Sequence, residues 1–253
     1  GGGGGAGRTT GLNLSAGAVA SGAGPGGAAT VSGAGGAPGT AFIDPKVWTG
    51  AGAADCKDPA NWVGAVAPLP GDNVVFGSTA PLKSCNWDFA PLPIGTLTIE
   101  AGYQGVLTWA TLLSSVTGNF NMQGGTLAST GIEFKVGGDF VQSGGAFSLG
   151  LGTVTLTGAG RSLSVSTSSR FNHLVVETGA SVTAASTLTV AGNLTVRVGA
   201  ALTLAPGTTL RPAGDLTQLG AVTASGASVV FEGTLAQQAR WNEYGNLRVS
   251  NPA

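Results

Sequence analysis

A short phrase recurs through the last two thirds of the chain: a glycine or asparagine, a small or polar residue, then a large apolar one. It reads Gly95-Thr96-Leu97, Gly118-Asn119-Phe120, Gly138-Asp139-Phe140, Asn172-His173-Leu174, Gly192-Asn193-Leu194, Gly214-Asp215-Leu216 and Gly245-Asn246-Leu247. The steps between its apolar members are 23, 20 and 34 residues, then 20, 22 and 31. Residues 94–253 therefore hold two copies of one three-step unit, 77 and 73 residues long. The long third step repeats too, since Gly152–Gly158 matches Ala227–Gly233, and Phe171 precedes Leu174 as Tyr244 precedes Leu247. A step near twenty residues, bounded by glycine and filled with Val, Thr and Leu, is one coil of a solenoid.

Within a step the apolar residues alternate, as in Thr187-Leu188-Thr189-Val190 and Ala201-Leu202-Thr203-Leu204. Alternation with period two points one side of each strand inward, and no amphipathic helical period competes with it. The expected fold is all-β: a right-handed parallel β-helix whose coils stack about 4.8 Å apart. The Asn/Asp position of the recurring phrase falls at turns, where such side chains bond backbone groups.

Two other regions differ in composition. Residues 1–40 contain 16 glycines, no acid and one base, Arg8. This Gly/Ala-rich arm has Leu12, Leu14, Val19 and Val31 as its gripping points, and Gly11–Ser15 alternates like a strand laid along an edge. Whether that edge belongs to the same subunit or a neighbour stays open. Residues 41–93 carry Trp48, Trp62 and Trp87, both cysteines and most of the proline turns, which reads as an aromatic, turn-rich cap.

Only 9% of the residues are charged, and 11 bases against 12 acids are scattered singly. Without a basic patch there is no expectation of nucleic-acid binding, nor of docking on anionic lipid. No run of about 20 apolar residues is present to span a bilayer. The chain starts at Gly1 and its single methionine is Met122, which reads as a processed product. Cys56 and Cys85 form a disulfide in an oxidising compartment, or else remain two buried thiols. Two cysteines and one distant histidine do not make a metal site, and no cofactor motif is visible.

Catalytic readings are weak. Asp139 and Asp215 share a repeat slot with Asn119, Asn193 and Asn246, so turn work explains them. His173 falls in the same slot and has no marked acid or nucleophile beside it. Asp55 and Asp58 lack the six to eight oxygens that calcium takes. Gly124-Gly125 and Gly144-Gly145 open no helix, so they are no phosphate loops.

From Trp48 onward the phrases Trp48-Thr49-Gly50, Pro59-Ala60-Asn61-Trp62 and Pro70–Phe76, with Ile94–Gly105 and the repeat phrases Gly152–Gly158 and Phe171–Val176, resemble bacterial surface-exposed β-helix proteins of the adhesin and autotransporter kind. The resemblance covers about residues 46–250. It implies fold and a secreted, cell-surface location, and says little of ligand.

Two functions follow as expectations. In the first, the chain is a structural subunit of an extracellular filament that assembles with copies of itself, using the arm and the C-terminal coil (Tyr244, Leu247, Val249). In the second it is a monomeric adhesin or carbohydrate-binding module, with Trp109 or Trp241 stacking on surface glycans if they face solvent. No enzymatic activity is expected.

Overall fold

The computed structural model divides the chain into units 1–43 and 44–253. The described residues all belong to the second unit: 45–249, without 81, 90, 91, 111–114, 130, 132, 149, 234–236, 238 and 241–245. They form a parallel β-solenoid with three faces. Face I is a nine-stranded sheet running in order from Lys46–Val47 and Val74–Phe76, through Leu97–Ile99, Phe120–Met122, Phe140–Gln142, Arg161–Val165, Ser181–Ala184 and Ala201–Leu204, to Ala221–Thr223. Face III is an eight-stranded sheet from Pro93–Ile94 to Ala239–Arg240. Face II comes in two four-stranded blocks. The first runs from Cys85–Trp87 to Ala146–Ser148, and the second from Leu188–Val190 to Asn246–Val249.

Every strand pairing is parallel, and like residues stack on like. Leu97 pairs with Phe120 and Phe120 with Phe140 on face I; Leu174 pairs with Leu194 and Leu194 with Leu216 on face III. Inward residues such as Leu97, Ile99, Leu202 and Leu204 are buried while their neighbours are not. Each buried Leu or Val contributes roughly 1.5–3 kcal/mol. This is the period-two alternation read from the sequence.

Two details differ from the sequence reading. The 41–93 cap is shorter than expected, because Val74–Phe76, Cys85–Trp87 and Pro93–Ile94 already pair with the three faces of the next coil. The first full coil, whose last strand is Pro93–Ile94, thus lies almost wholly inside 41–93. The long third step of the repeat is also more than one coil. Phe140 stands on face I and Leu174 on face III, while Leu216 stands on face III and Leu247 on face II. The interval contains one whole coil and two thirds of the next. A copy of the repeat therefore spans three and two-thirds coils, and the second copy is turned by a third of a revolution against the first.

Two devices keep the coils close. One is a side-chain ladder along the recurring phrase, each rung accepting the backbone N–H of the equivalent residue one coil on. Asn73 Oδ1 accepts from Thr96 (2.9 Å), Asn119 from Asp139 (2.9 Å), His173 Nδ1 from Asn193 (2.9 Å) and Asn193 from Asp215 (3.0 Å). The other is the preceding glycine. A Cβ built on Gly118 would lie 2.8 Å from Gly95 O, and one on Gly214 only 2.5 Å from the carbonyl of Gly192.

The interior of the N-terminal half is a continuous run of rings. Trp48 meets Trp62 at 5.2 Å, Trp62 meets Phe76 and Trp87, and Trp87 stacks on Trp109 at 5.1 Å with planes 3° apart. Trp109 then meets Phe134, and Phe120, Phe140, Phe147 and Phe171 carry the run onward.

Candidate functional site

Most of the described polar residues that could carry chemistry are engaged in structure. His173, Asn193, Asn119 and Asp139 are ladder rungs, with Asp139 accepting from Ser162 N at 2.9 Å. Asp55, Asp58 and Asp72 accept backbone N–H groups in local turns. Glu133, Glu177 and Glu232 pair with Lys135, Arg197 and Arg211 on the surface. Lys57 lies 2.8 Å from Asp88, and that hydrogen bond raises its pKa. Among the described residues no group of three or more His, Cys, Asp or Glu gathers, and no helix is long and apolar enough to cross a membrane.

The sugar-stacking expectation needs correcting at Trp109. Its side chain is 0% exposed, sealed between Trp87 and Phe134, so it offers no face to a sugar. A large ring on an inward strand position releases more free energy inside than at the surface. Tyr103 is buried likewise; it donates to Lys83 O at 2.7 Å, and burial pushes its pKa up. Trp241, Tyr244 and the arm residues Leu12, Leu14, Val19 and Val31 lie outside the described residues.

The two ends of the solenoid are unlike. At the N-terminal end residues 48–63 fold back across the first coil. Trp48 and Trp62 form an antiparallel bridge, Pro59–Asn61 make a 3-10 turn, and Asn61 binds Gly52 N, Ala53 O and Asp55 O. Cys56 and Cys85 form a disulfide, both buried, that fixes this segment to face II. On face III the first strand begins with Pro93, which cannot donate to a further strand. Closing a loop of 29 residues stabilises by about 3–4 kcal/mol in the chain-entropy model. Cys56→Ser with Cys85→Ser is therefore expected to lower stability by that order, with early loss of protection over 48–63 in hydrogen exchange. At the other end of the described residues, Asn246–Val249 pairs among them with Ser228–Phe231 alone, and all four of its residues are exposed, Leu247 at 48% and Val249 at 66%.

A second feature interrupts the wall. On faces I and III the coil after Phe140 continues in register, with Phe140 on Leu163 and Val154 on Leu174. On face II, Ala146–Ser148 pairs with Thr126–Ser129 below and, among the described residues, with no strand above. The residues due there, 166–170, curl into a serine turn: Ser169 N donates to Ser166 O at 3.0 Å, and their hydroxyls are 2.9 Å apart. Only Phe171 rejoins the wall, bridging Val190. The gap opens a cleft of about 480 Å³ lined by Phe147, Ser148, Leu151, Val154, Arg170 and Asn172 among others. The sequence reading gave none of these residues a functional role, and it met Val154 and Asn172 only as parts of the repeat. The signal available was Ser166–Ser169, a polar run where the other steps alternate.

No family model matches this chain, and no curated protein or solved structure shows a significant similarity to it. Function has to be argued from the geometry alone.

Proposed function

We propose that the protein is a secreted structural module that assembles with copies of itself through its C-terminal coil. The observation that carries this reading is the contrast between the two ends. One is closed over by a disulfide-pinned segment, and at the other, among the described residues, Asn246–Val249 has no strand partner beyond Ser228–Phe231. An exposed strand edge bearing apolar side chains invites another strand unless charge or proline blocks it. Arg248 is the single charge there, flanked by Leu247 and Val249. The arm supplies a strand of suitable chemistry: Gly11–Ser15 alternates, is uncharged, and loses little side-chain entropy on ordering. Donation from one copy to the next joins unlike surfaces, so it propagates rather than closes. The buried disulfide supports an oxidising, extracellular setting. The engagement of Asp55, Asp58, Asp72, Asp139, Glu133, Glu177, Glu232 and His173 in turns, ladder and surface pairs supports a structural over a catalytic role.

The test is sedimentation and negative-stain microscopy of three proteins: the full chain, a form lacking residues 1–40, and Val249→Pro with Leu247→Lys. The full chain is expected to give concentration-dependent fibres, and the other two isolated short rods with unchanged circular dichroism. Fibres persisting in both variants would overturn the reading.

A further inference from the structure

The interrupted wall of face II is a second edge, lateral rather than terminal, and its chemistry is specific. In a parallel strand alternate residues direct both backbone groups to opposite neighbours. Ala146 N donates downward to Gly125 O at 2.8 Å, so the N–H and C=O of Phe147 face the empty rung. Among the described residues no backbone hydrogen bond joins 166–170 to Ala146–Ser148. Below the opening lies an apolar floor, Phe147, Val154 and Phe171, and at its rim Leu151 stands 81% exposed. Arg170 is the one charged residue of the lining, it is exposed, and it has no ion-pair partner among the described residues.

We propose that this cleft is a docking slot for an extended peptide strand of a partner protein, carrying a carboxylate for Arg170. The incoming strand occupies the vacant rung and exchanges backbone hydrogen bonds with Phe147. An apolar side chain settles on Phe147 and Val154 beside Leu151. The next outward side chain, a Glu or Asp, meets the guanidinium, whose planar fork suits a carboxylate. Strand addition gives affinity through the main chain, and the pockets beside it give selectivity. The Gly/Ala arm is a poor occupant because it contains no acid and one base, Arg8. The slot is thus distinct from the terminal edge.

The probe is the peptide acetyl-Thr-Val-Glu-Val-Thr-amide, labelled for anisotropy and offered to the full chain. Three comparisons accompany it: a form N-methylated at its central amides, a form with Lys for Glu, and a uronic-acid tetrasaccharide. Binding of the parent peptide is expected to slow amide exchange at Phe147. N-methylation, Lys for Glu, or Arg170→Glu should each weaken it at least tenfold. The Lys peptide should recover affinity on Arg170→Glu, which a mere loss of folding could not produce. Absence of protection at Phe147, affinity indifferent to the charge swap, or binding of the tetrasaccharide in place of the peptide would each overturn the proposal. Because the readout is local exchange, it is independent of whether the protein forms fibres.

Discussion

Gly138→Ala is expected to destabilise the solenoid by about 3 kcal/mol or more, although alanine is the smallest side chain that can be added. The glycine is absent from the positive-φ positions, so backbone conformation is not the cause. A Cβ there would sit 2.4 Å from the carbonyl carbon of Gly118 and 2.3 Å from Asn119 Oδ1. Either the two coils part or the Asn119 rung lets go of Asp139 N. In a stack where each coil touches only its neighbours, the damage should be local at first. Hydrogen exchange is expected to speed most between residues 118 and 142, alongside a lower urea midpoint. Gly179→Ala is the control. Its φ is +81° with nothing within 4 Å of the new atom, so it should cost only about 1–2 kcal/mol. If Gly179→Ala proved the more damaging, close approach of the coils would not be what these glycines provide.

Trp109→Ala is expected to cost about 3–5 kcal/mol by leaving a cavity between Trp87 and Phe134. The near-parallel Trp87–Trp109 pair should also give a strong near-ultraviolet dichroism signal that disappears in the variant. Trp109→Phe should keep more than half of the stability while losing that signal. A surface ring serving a sugar would behave oppositely, with stability intact and only binding lost. Thermal unfolding therefore separates the two roles without any ligand.

Much of the fold was legible because a solenoid coil writes itself into the sequence as a period. The Asn119, Asp139, Asn193 and Asp215 slot was readable as turn chemistry because side chains of equal length interchange there. Its deeper role, accepting the amide of the following coil, required the stacking to be seen. The long steps misled because residue spacing counts distance along the chain and not the face reached. A step of 34 residues reads as one large coil until Phe140 and Leu174 are found on different walls. Trp109 was misplaced for a related reason: inward and outward positions on Val106–Trp109 are set by pairing with Cys85–Trp87, which composition does not reveal. The cleft was invisible because its defining element is a strand that fails to form, and Ser166–Ser169 looks like any polar loop.

The repeat of three and two-thirds coils bears on how this molecule meets its surroundings. Had duplication copied whole coils, every recurring feature would line up along one side, like buttons on a shirt. The leftover fraction turns the arrangement into a spiral stair. Face II loses its upper neighbour at Ala146–Ser148, and face I has its last described strand at the equivalent Ala221–Thr223, one wall around. At about 4.8 Å per coil, equivalent positions climb roughly 18 Å with each third of a revolution. Partners gripping such positions would be held apart in azimuth as well as height, so that neighbours along the solenoid wall need not compete for the same space.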